Sequence, residues 1–157
     1  MNLLLIISNL IASKDKVEVN STQSLSNTIQ FVYHKIKGEI YDLNTTTYTL
    51  GKNIVTAIQK KKVIQVQALD VHELTPLTDI FILAIAPNIK QTQAMADEVE
   101  SLLAETGHYP IHKEGYRTAT WILLDYGQVI VHILEEENAQ FYGLDRLWKD
   151  AKKIEYK

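Results

Sequence analysis

The sequence has no cysteine, only six glycines and three prolines, and no long apolar run in its 157 residues. Without cysteine it can form no disulfide, no thiolate zinc site and no cysteine nucleophile. Its glycines are not clustered, so there is no Gly-rich loop of the kind that cradles nucleotide phosphates. The apolar stretch of residues 1–12 is far shorter than the roughly 20 residues that span a bilayer. We therefore expect a cytoplasmic protein without a membrane anchor or a nucleotide cofactor.

The charged residues give little support to catalysis or to nucleic-acid binding. A net charge of -3 argues against affinity gained by neutralising phosphates, so we predict no direct nucleic-acid readout. Asp79 and Asp125 each border an apolar strand, but neither belongs to an Asp-x-Asp pair. His108 and His112 flank Pro110 in an extended segment, where four residues span about 13 Å. We predict no catalytic residue, no cofactor and no metal site.

Composition divides the chain near Leu50. Residues 1–50 contain 16 Ser, Thr and Asn, against 11 in the 107 residues that follow. We predict an N-terminal extension over residues 1–50, which ends in a polar linker at Asn44–Thr47 and contains a weakly patterned helix at Leu25–Ile36. Residues 51–151 then form one domain, and residues 152–157 form a polar tail.

Within this domain the hydrophobic pattern predicts the order α-β-β-α-β-β-β-α. The continuous apolar run Ile80–Ala86 predicts a strand in the middle of a sheet that helices cover. Asn88 and Gln91 have the spacing of a capping box at the start of a long helix that ends at Gly107. The other predicted elements are a helix at Asn53–Lys61, strands at Val63–Val71, Tyr109–Lys113, Trp121–Asp125 and Val129–Leu134, and a last helix from Asn138 that buries Phe141, Leu144, Leu147, Trp148 and Ala151. The fold class is α/β, with a mixed sheet flanked by helices.

Trp121 is the residue that most suggests a binding surface. Strand alternation places it on one face with Leu123 and Asp125, while Ile122 and Leu124 take the other face. An exposed Trp-Leu-Asp stripe would be an aromatic anchor with a charged rim, as interface hot spots are. The same pattern also fits a tryptophan in the core of the sheet, and the alternation alone does not separate the two interpretations.

Several motifs resemble those of the bacterial ribosomal silencing factor family, also called the Iojap family. They lie in the family's order and spacing and cover roughly Asn53–Ala151. The later motifs are Glu114-Gly115, Trp121–Gly127, Val129–His132, Phe141–Leu144 and Leu147–Ala151. The earlier ones are Leu69–Val71, Thr78-Asp79, and Lys90-Gln91 followed by Ala94–Asp97.

The resemblance implies a cytoplasmic translation regulator that binds the large ribosomal subunit through its ribosomal protein fourteen and blocks subunit joining. It also implies an α/β sandwich related to nucleotidyltransferases, although fold alone does not fix function. The implied role is one without catalysis. By motif, Trp121 would anchor the partner, surrounded by Glu114, Gly115, Leu123, Asp125 and Tyr126. The residues that would instead hold the fold are His132, Phe141, Tyr142, Leu144 and Trp148.

The sequence also departs from the family pattern. The Gly and Ser residues usual after the second strand are replaced by Ile85–Ile89, an expected acid is Gln128, and an expected arginine is absent at Ala139-Gln140. Residues 1–50 match no part of the family, which would also follow if the assigned start lies upstream of the natural one. Two other functions stay open, a nucleotidyltransferase-like enzyme that uses Asp79 and Asp125, and a homodimeric scaffold with the Trp121 stripe as its interface.

Overall fold

A computed structural model describes residues 45–156 of the protein. The helix predicted at Leu25–Ile36 lies outside the described residues. The helices of the described part are α1 (Thr45–Gln59), α2 (Ile89–Ala104), α3 (Glu136–Tyr142) and α4 (Leu144–Leu147). Its strands are β1 (Gln65–Asp70), β2 (Ile80–Ala86), β3 (His112–Glu114), β4 (Trp121–Asp125), β5 (Val129–Glu135) and β6 (Lys152–Ile154). Among these helices, none has the length and apolar character needed to cross a membrane.

The strands form one sheet in the order β3-β4-β5-β2-β1-β6. Its central pair, β2 and β5, is parallel, and the other four pairings are antiparallel. β2 is buried along nearly its whole length, as the apolar run predicts for a strand covered on both sides. The prediction of an α/β fold with a mixed sheet and flanking helices is confirmed.

The two long helices cover one face of the sheet. α1 contributes Ile54 and Ile58 to the core and α2 contributes Met95 and Val99, each at helical spacing and each fully buried. Burying a side chain of this size stabilises the fold by about 1.5–3 kcal/mol. Because both long helices lie on this face, the opposite face is left to the short helices α3 and α4.

The structure contains the N-terminal cap that the sequence predicts for α2. The Asn88 side chain accepts a hydrogen bond from the backbone N–H of Gln91 at 3.1 Å and so caps the first turn. The reciprocal half of the capping box is absent, because the Gln91 Oε1 accepts from the backbone N–H of Lys62 instead. At the other end α2 stops at Ala104, and Gly107 lies in the left-handed region with φ +78°.

Both ends of the described region are more ordered than the sequence predicts. α1 starts at Thr45 rather than Asn53, so Thr45–Thr47 belong to a helix and not to a linker. The buried Thr47 hydroxyl reaches across to the Gln128 Oε1 at 3.0 Å, a contact between residues far apart in sequence. Part of the predicted polar tail is the edge strand β6, whose three residues pair with the second half of β1.

The single C-terminal helix predicted from Asn138 is wrong, because the chain breaks it at Gly143. This residue adopts φ +56° and is at once the C-terminal cap of α3 and the N-terminal cap of α4. The break turns α4 so that Leu144 and Trp148 face the sheet and are buried. The Trp148 ring packs edge-to-face on Phe81 of β2, with 4.9 Å between ring centroids.

Candidate partner-binding surface

Four of the six predicted partner-binding residues lie on one face of the sheet. β4 places Trp121, Leu123 and Asp125 on that face by strand alternation. Glu114 of β3 is directly opposite Leu123 in the antiparallel register, and directly opposite residues share a face. This is the face that α3 and α4 cover, away from the two long helices.

Of the two interpretations of the Trp-Leu-Asp stripe, the structure shows the buried one for Trp121 and Leu123. Trp121 is only 7% exposed and Leu123 is fully buried. Tyr142 of α3 lies over the indole, with 4.8 Å between ring centroids, which is why Trp121 does not meet solvent as an open anchor. Asp125 is half-buried, and its Oδ1 accepts the backbone N–H of Gly127 at 2.7 Å, so this carboxylate holds the β4–β5 turn.

Gly115 and Tyr126 have positions that differ from the stripe. Gly115 adopts φ +74°, and a Cβ there would overlap the backbone carbonyl of Trp121, so this glycine allows the loop before β4 to close. Tyr126, one residue beyond Asp125, points to the α2 side. Burial, together with the Glu100 carboxylate of α2, raises the pKa of Tyr126 above its usual value.

The Gly115 loop is fixed to both neighbouring elements. The backbone N–H of Ala119 donates to the carbonyl of Gly115 at 2.8 Å. The buried hydroxyl of Thr92 on α2 donates to the carbonyl of Ala119 at 2.6 Å. The loop therefore links the start of β4 to the first turn of α2, and the position of Trp121 depends on it.

His132 holds the Trp121 indole from below. It lies opposite Leu123, two pairs along the β4–β5 register from Trp121, and the indole Nε1–H donates to its Nδ1 at 3.2 Å. Complete burial lowers the pKa of His132 to about 3, because a charged imidazole is costly away from water. The ring is thus neutral near pH 7, with Nδ1 as the acceptor and the proton on Nε2.

This burial predicts an acid-sensitive step in stability. The folded pKa of about 3 lies below the ordinary value of about 6.5. Between those values the unfolded chain binds a proton that the folded one does not. The contribution of His132 to the free energy of unfolding is therefore fully present above pH 6.5. Below that pH it decreases by about 1.4 kcal/mol for each pH unit, until the folded pKa is reached. Urea unfolding from pH 7 to 4.5 measures this slope.

The control is His132→Asn, which keeps an acceptor for the indole but does not titrate. On acidification its free energy of unfolding should decrease less than that of the wild type, by about 1.4 kcal/mol for each pH unit below 6.5. Other groups titrate equally in both proteins, so their contributions cancel in the difference. Parallel stability curves for the two proteins would show that His132 is not the acid-sensitive group.

Aromatic rings continue from the core to the surface in an unbroken series. Phe81 packs on His132 at 5.1 Å, His132 contacts Trp121, Trp121 contacts Tyr142 at 4.8 Å, and Tyr142 packs edge-to-face with Phe141 at 5.1 Å. Tyr142 is 40% exposed and Phe141 is 80% exposed. The series ends in a solvent-facing pair on α3, which we call the Phe141–Tyr142 pair.

The assignment of Phe141 to the buried face is corrected by this geometry. A continuous helix would place Phe141 on one stripe with Leu144 and Trp148. Since Gly143 breaks that helix, Phe141 leaves the stripe and turns outward. The glycine between Tyr142 and Leu144 is the signal that could have revealed the break.

Charge is distributed unevenly around the sheet. On the side of the long helices acids are paired, with Glu98 bridging Lys60 and Lys61 and Glu100 binding Lys113. α3 begins with Glu136 and Glu137, both exposed, and within residues 45–156 neither forms an ion pair. Two carboxylates without an ion pair therefore lie on the same helix as the Phe141–Tyr142 pair. The same part of the chain holds no group of three or more His, Cys, Asp or Glu residues placed to bind a metal.

Comparison with known proteins points to one family. Residues 44–157 match the family model described as "Ribosomal silencing factor during starvation". The chain is 36% identical over 101 residues to the ribosomal silencing factor of Halalkalibacterium halodurans, covering 64% of this chain and 86% of that protein. It is 32% identical over 100 residues to the factor of Bacillus subtilis, covering 64% and 85%. A maize protein named Iojap, chloroplastic, is 26% identical over 103 residues, covering 66% and 45%.

Solved structures agree in fold. A crystal structure from Chromobacterium violaceum superposes with a TM-score of 0.63 at 28% identity, covering 69% of this chain and 90% of that one. A crystal structure from Bacillus halodurans gives 0.62 at 32% identity, covering 69% and 99%. The sheet and helices described above are therefore an architecture shared with these bacterial proteins.

Proposed function

Since the chain belongs to the ribosomal silencing factor family, we propose that it binds the large ribosomal subunit through ribosomal protein fourteen and prevents the small subunit from joining. Its place of action would be the cytoplasm. Membership in this family indicates a regulator of translation that acts on ribosomes. The protein partner and the steric mechanism are the parts to be tested.

One observation carries the location of the interface, the Phe141–Tyr142 pair supported by buried Trp121. Large apolar rings at 80% and 40% exposure lose unfavourable contact with water when a partner covers them. The support beneath them is rigid, since Trp121 is fixed by its hydrogen bond to His132. A preformed aromatic surface binds with little loss of conformational freedom.

In this proposal the six predicted partner-binding residues lie at different depths relative to the interface. Trp121, Leu123 and Gly115 act from beneath, because they are buried or shape the loop. Glu114 and Asp125 lie half-buried on the same face of the sheet. Tyr126 faces α2, so it contributes to the fold and not to the contact.

Steric occlusion needs no reaction. A folded unit of about 100 residues has a radius of gyration near 13 Å, whereas a packed interface tolerates almost no inserted atoms. A protein of this size on the joining surface of the large subunit is sufficient to keep the small subunit away. The net charge of -3 would also speed encounter with a basic ribosomal protein.

Co-sedimentation with isolated small and large ribosomal subunits tests this proposal. We expect binding to the large subunit alone. Tyr142→Ser, which removes a half-exposed ring from the surface, should weaken that binding by about 30-fold, the lower limit for an interface hot spot. Purified ribosomal protein fourteen should compete for the factor.

The matched control is Leu74→Ser, an equally exposed apolar residue at 44% on the loop between β1 and β2. It should bind as the wild type does. Equal weakening by both substitutions would refute the placement of the interface on α3. Sedimentation with the small subunit, or with neither, would refute the proposed function itself.

A further inference from the structure

We propose that Glu137 and Phe141 form a binding site for one basic side chain of the partner, preferably an arginine. This inference rests on the proposed function and goes beyond it, because it states which kind of residue the partner contributes. The pair consists of a carboxylate and an aromatic ring four residues apart on α3.

Helix geometry brings the two side chains together. Glu137 and Phe141 are four residues apart within α3, and residues at this spacing are neighbours on one helix face, with Cβ atoms about 5–6 Å apart. Both are exposed, Phe141 to 80%. Tyr142 contacts the Phe141 ring edge-to-face, at 89° and with 5.1 Å between centroids, and most of the Phe141 surface is left open to a partner.

The chemistry of this pair selects a cation. An aromatic face attracts a guanidinium or an ammonium through its quadrupole, by about 0.5–1 kcal/mol at an exposed site and more when partner atoms exclude water. The neighbouring carboxylate adds a charge-assisted hydrogen bond. Arginine satisfies both at once, because its planar group stacks on a ring and forks toward a carboxylate.

A structural role for the Phe141 ring is weak by comparison. At 80% exposure it buries little area, and leucine would serve as well for the contact with Tyr142. Glu136 and Glu137 on α3 also have no ion pair within the described residues, unlike Glu98 and Glu100 on α2. A surface with an open ring and an unpaired carboxylate complements a basic loop of a ribosomal protein.

A double-mutant cycle decides the proposal. The variants are Phe141→Leu, which keeps apolar bulk and loses the ring face, Glu137→Gln, and both together. We expect each single change to weaken binding of the full chain to large subunits by about 3- to 10-fold. The double variant should lose less than the product of the single losses, since both side chains contact one group.

Salt gives a second, independent readout. Binding of Glu137→Gln should depend less on ionic strength than binding of the wild type, because one opposed charge pair is gone. Single variants that bind as the wild type does, or losses that multiply fully, would overturn the proposal. Thermal unfolding of the variants should match the wild type, as both positions are exposed.

Failure of the proposed function is separable from failure of this one. If the wild type does not sediment with large subunits, NMR titration with an acetylated tetra-arginine amide decides the matter. Shifts of the Phe141 ring and Glu137 signals that disappear in Phe141→Leu would support the cation site. No shift in the wild type would overturn it, whatever partner the protein has.

Discussion

Replacing Gly115 with alanine is expected to destabilise the domain by roughly 2–5 kcal/mol. The new Cβ would overlap the backbone carbonyl of Trp121, and backbone moves less easily than the end of a side chain. The left-handed conformation at φ +74° adds about 1–2 kcal/mol for a residue with a Cβ, and overpacking adds about 1–3 kcal/mol. Urea unfolding followed by circular dichroism measures the loss.

Gly107→Ala is the matched control. Gly107 has nearly the same backbone angle, φ +78°, but a Cβ there would meet no atom within 4 Å. Its replacement should therefore cost only the conformational part, about 1–2 kcal/mol. The difference between the two variants isolates the clash with Trp121. Equal losses would mean that the Gly115 loop relaxes freely and does not fix the start of β4.

Trp121→Ala is expected to lose about 3–5 kcal/mol of stability, as is usual when a large buried aromatic side chain is removed. It would also take away the support under Tyr142, since the two rings lie 4.8 Å apart. Ribosome binding should fall with it. A binding defect in this variant alone would thus not separate a direct contact from a disturbed fold.

Trp121→Phe separates the two causes. It keeps a ring under Tyr142 but removes the indole N–H that donates to His132 Nδ1, leaving a buried acceptor without its donor at a cost of about 1–3 kcal/mol. Measured by urea unfolding and co-sedimentation together, it should be destabilised yet still bind. Full stability in Trp121→Ala would contradict the burial of the indole, and lost binding in a folded Trp121→Phe would indicate direct contact.

The parts of the fold that sequence reasoning predicted correctly are those with local causes. A signal within a few residues predicts each of three features: the Asn88 cap, the β4–β5 hairpin and the apolar β2. The motif resemblance led to the right family, because several short patterns at fixed separations are far more specific than one. The face shared by Trp121, Leu123 and Asp125 also follows from the alternation of a strand.

The parts that sequence reasoning missed depend on contacts between distant residues. Thr47 in α1 forms a hydrogen bond with Gln128, 81 residues later in the chain. Residues Lys152–Ile154 form a strand by pairing with the edge of β1. Whether Trp121 is covered depends on α3, which arrives from a later segment of the chain. Periodicity places Phe141 on a helix but does not indicate which way the chain turns after Gly143, so it predicts burial for a residue that is exposed.

The position of β1 in the sheet has a consequence for synthesis. Among the strands that the structure describes, β1 is made first. Its outer neighbour is β6, in which Lys152 pairs with Asp70 and is translated 82 residues later. The central pair is also delayed, since Ile80 waits for Val129. Contacts so far apart in sequence slow folding. The sheet of a nascent copy should therefore stay incompletely paired until almost all of these residues have been translated. Such an incompletely folded chain cannot bind to the ribosome that is making it.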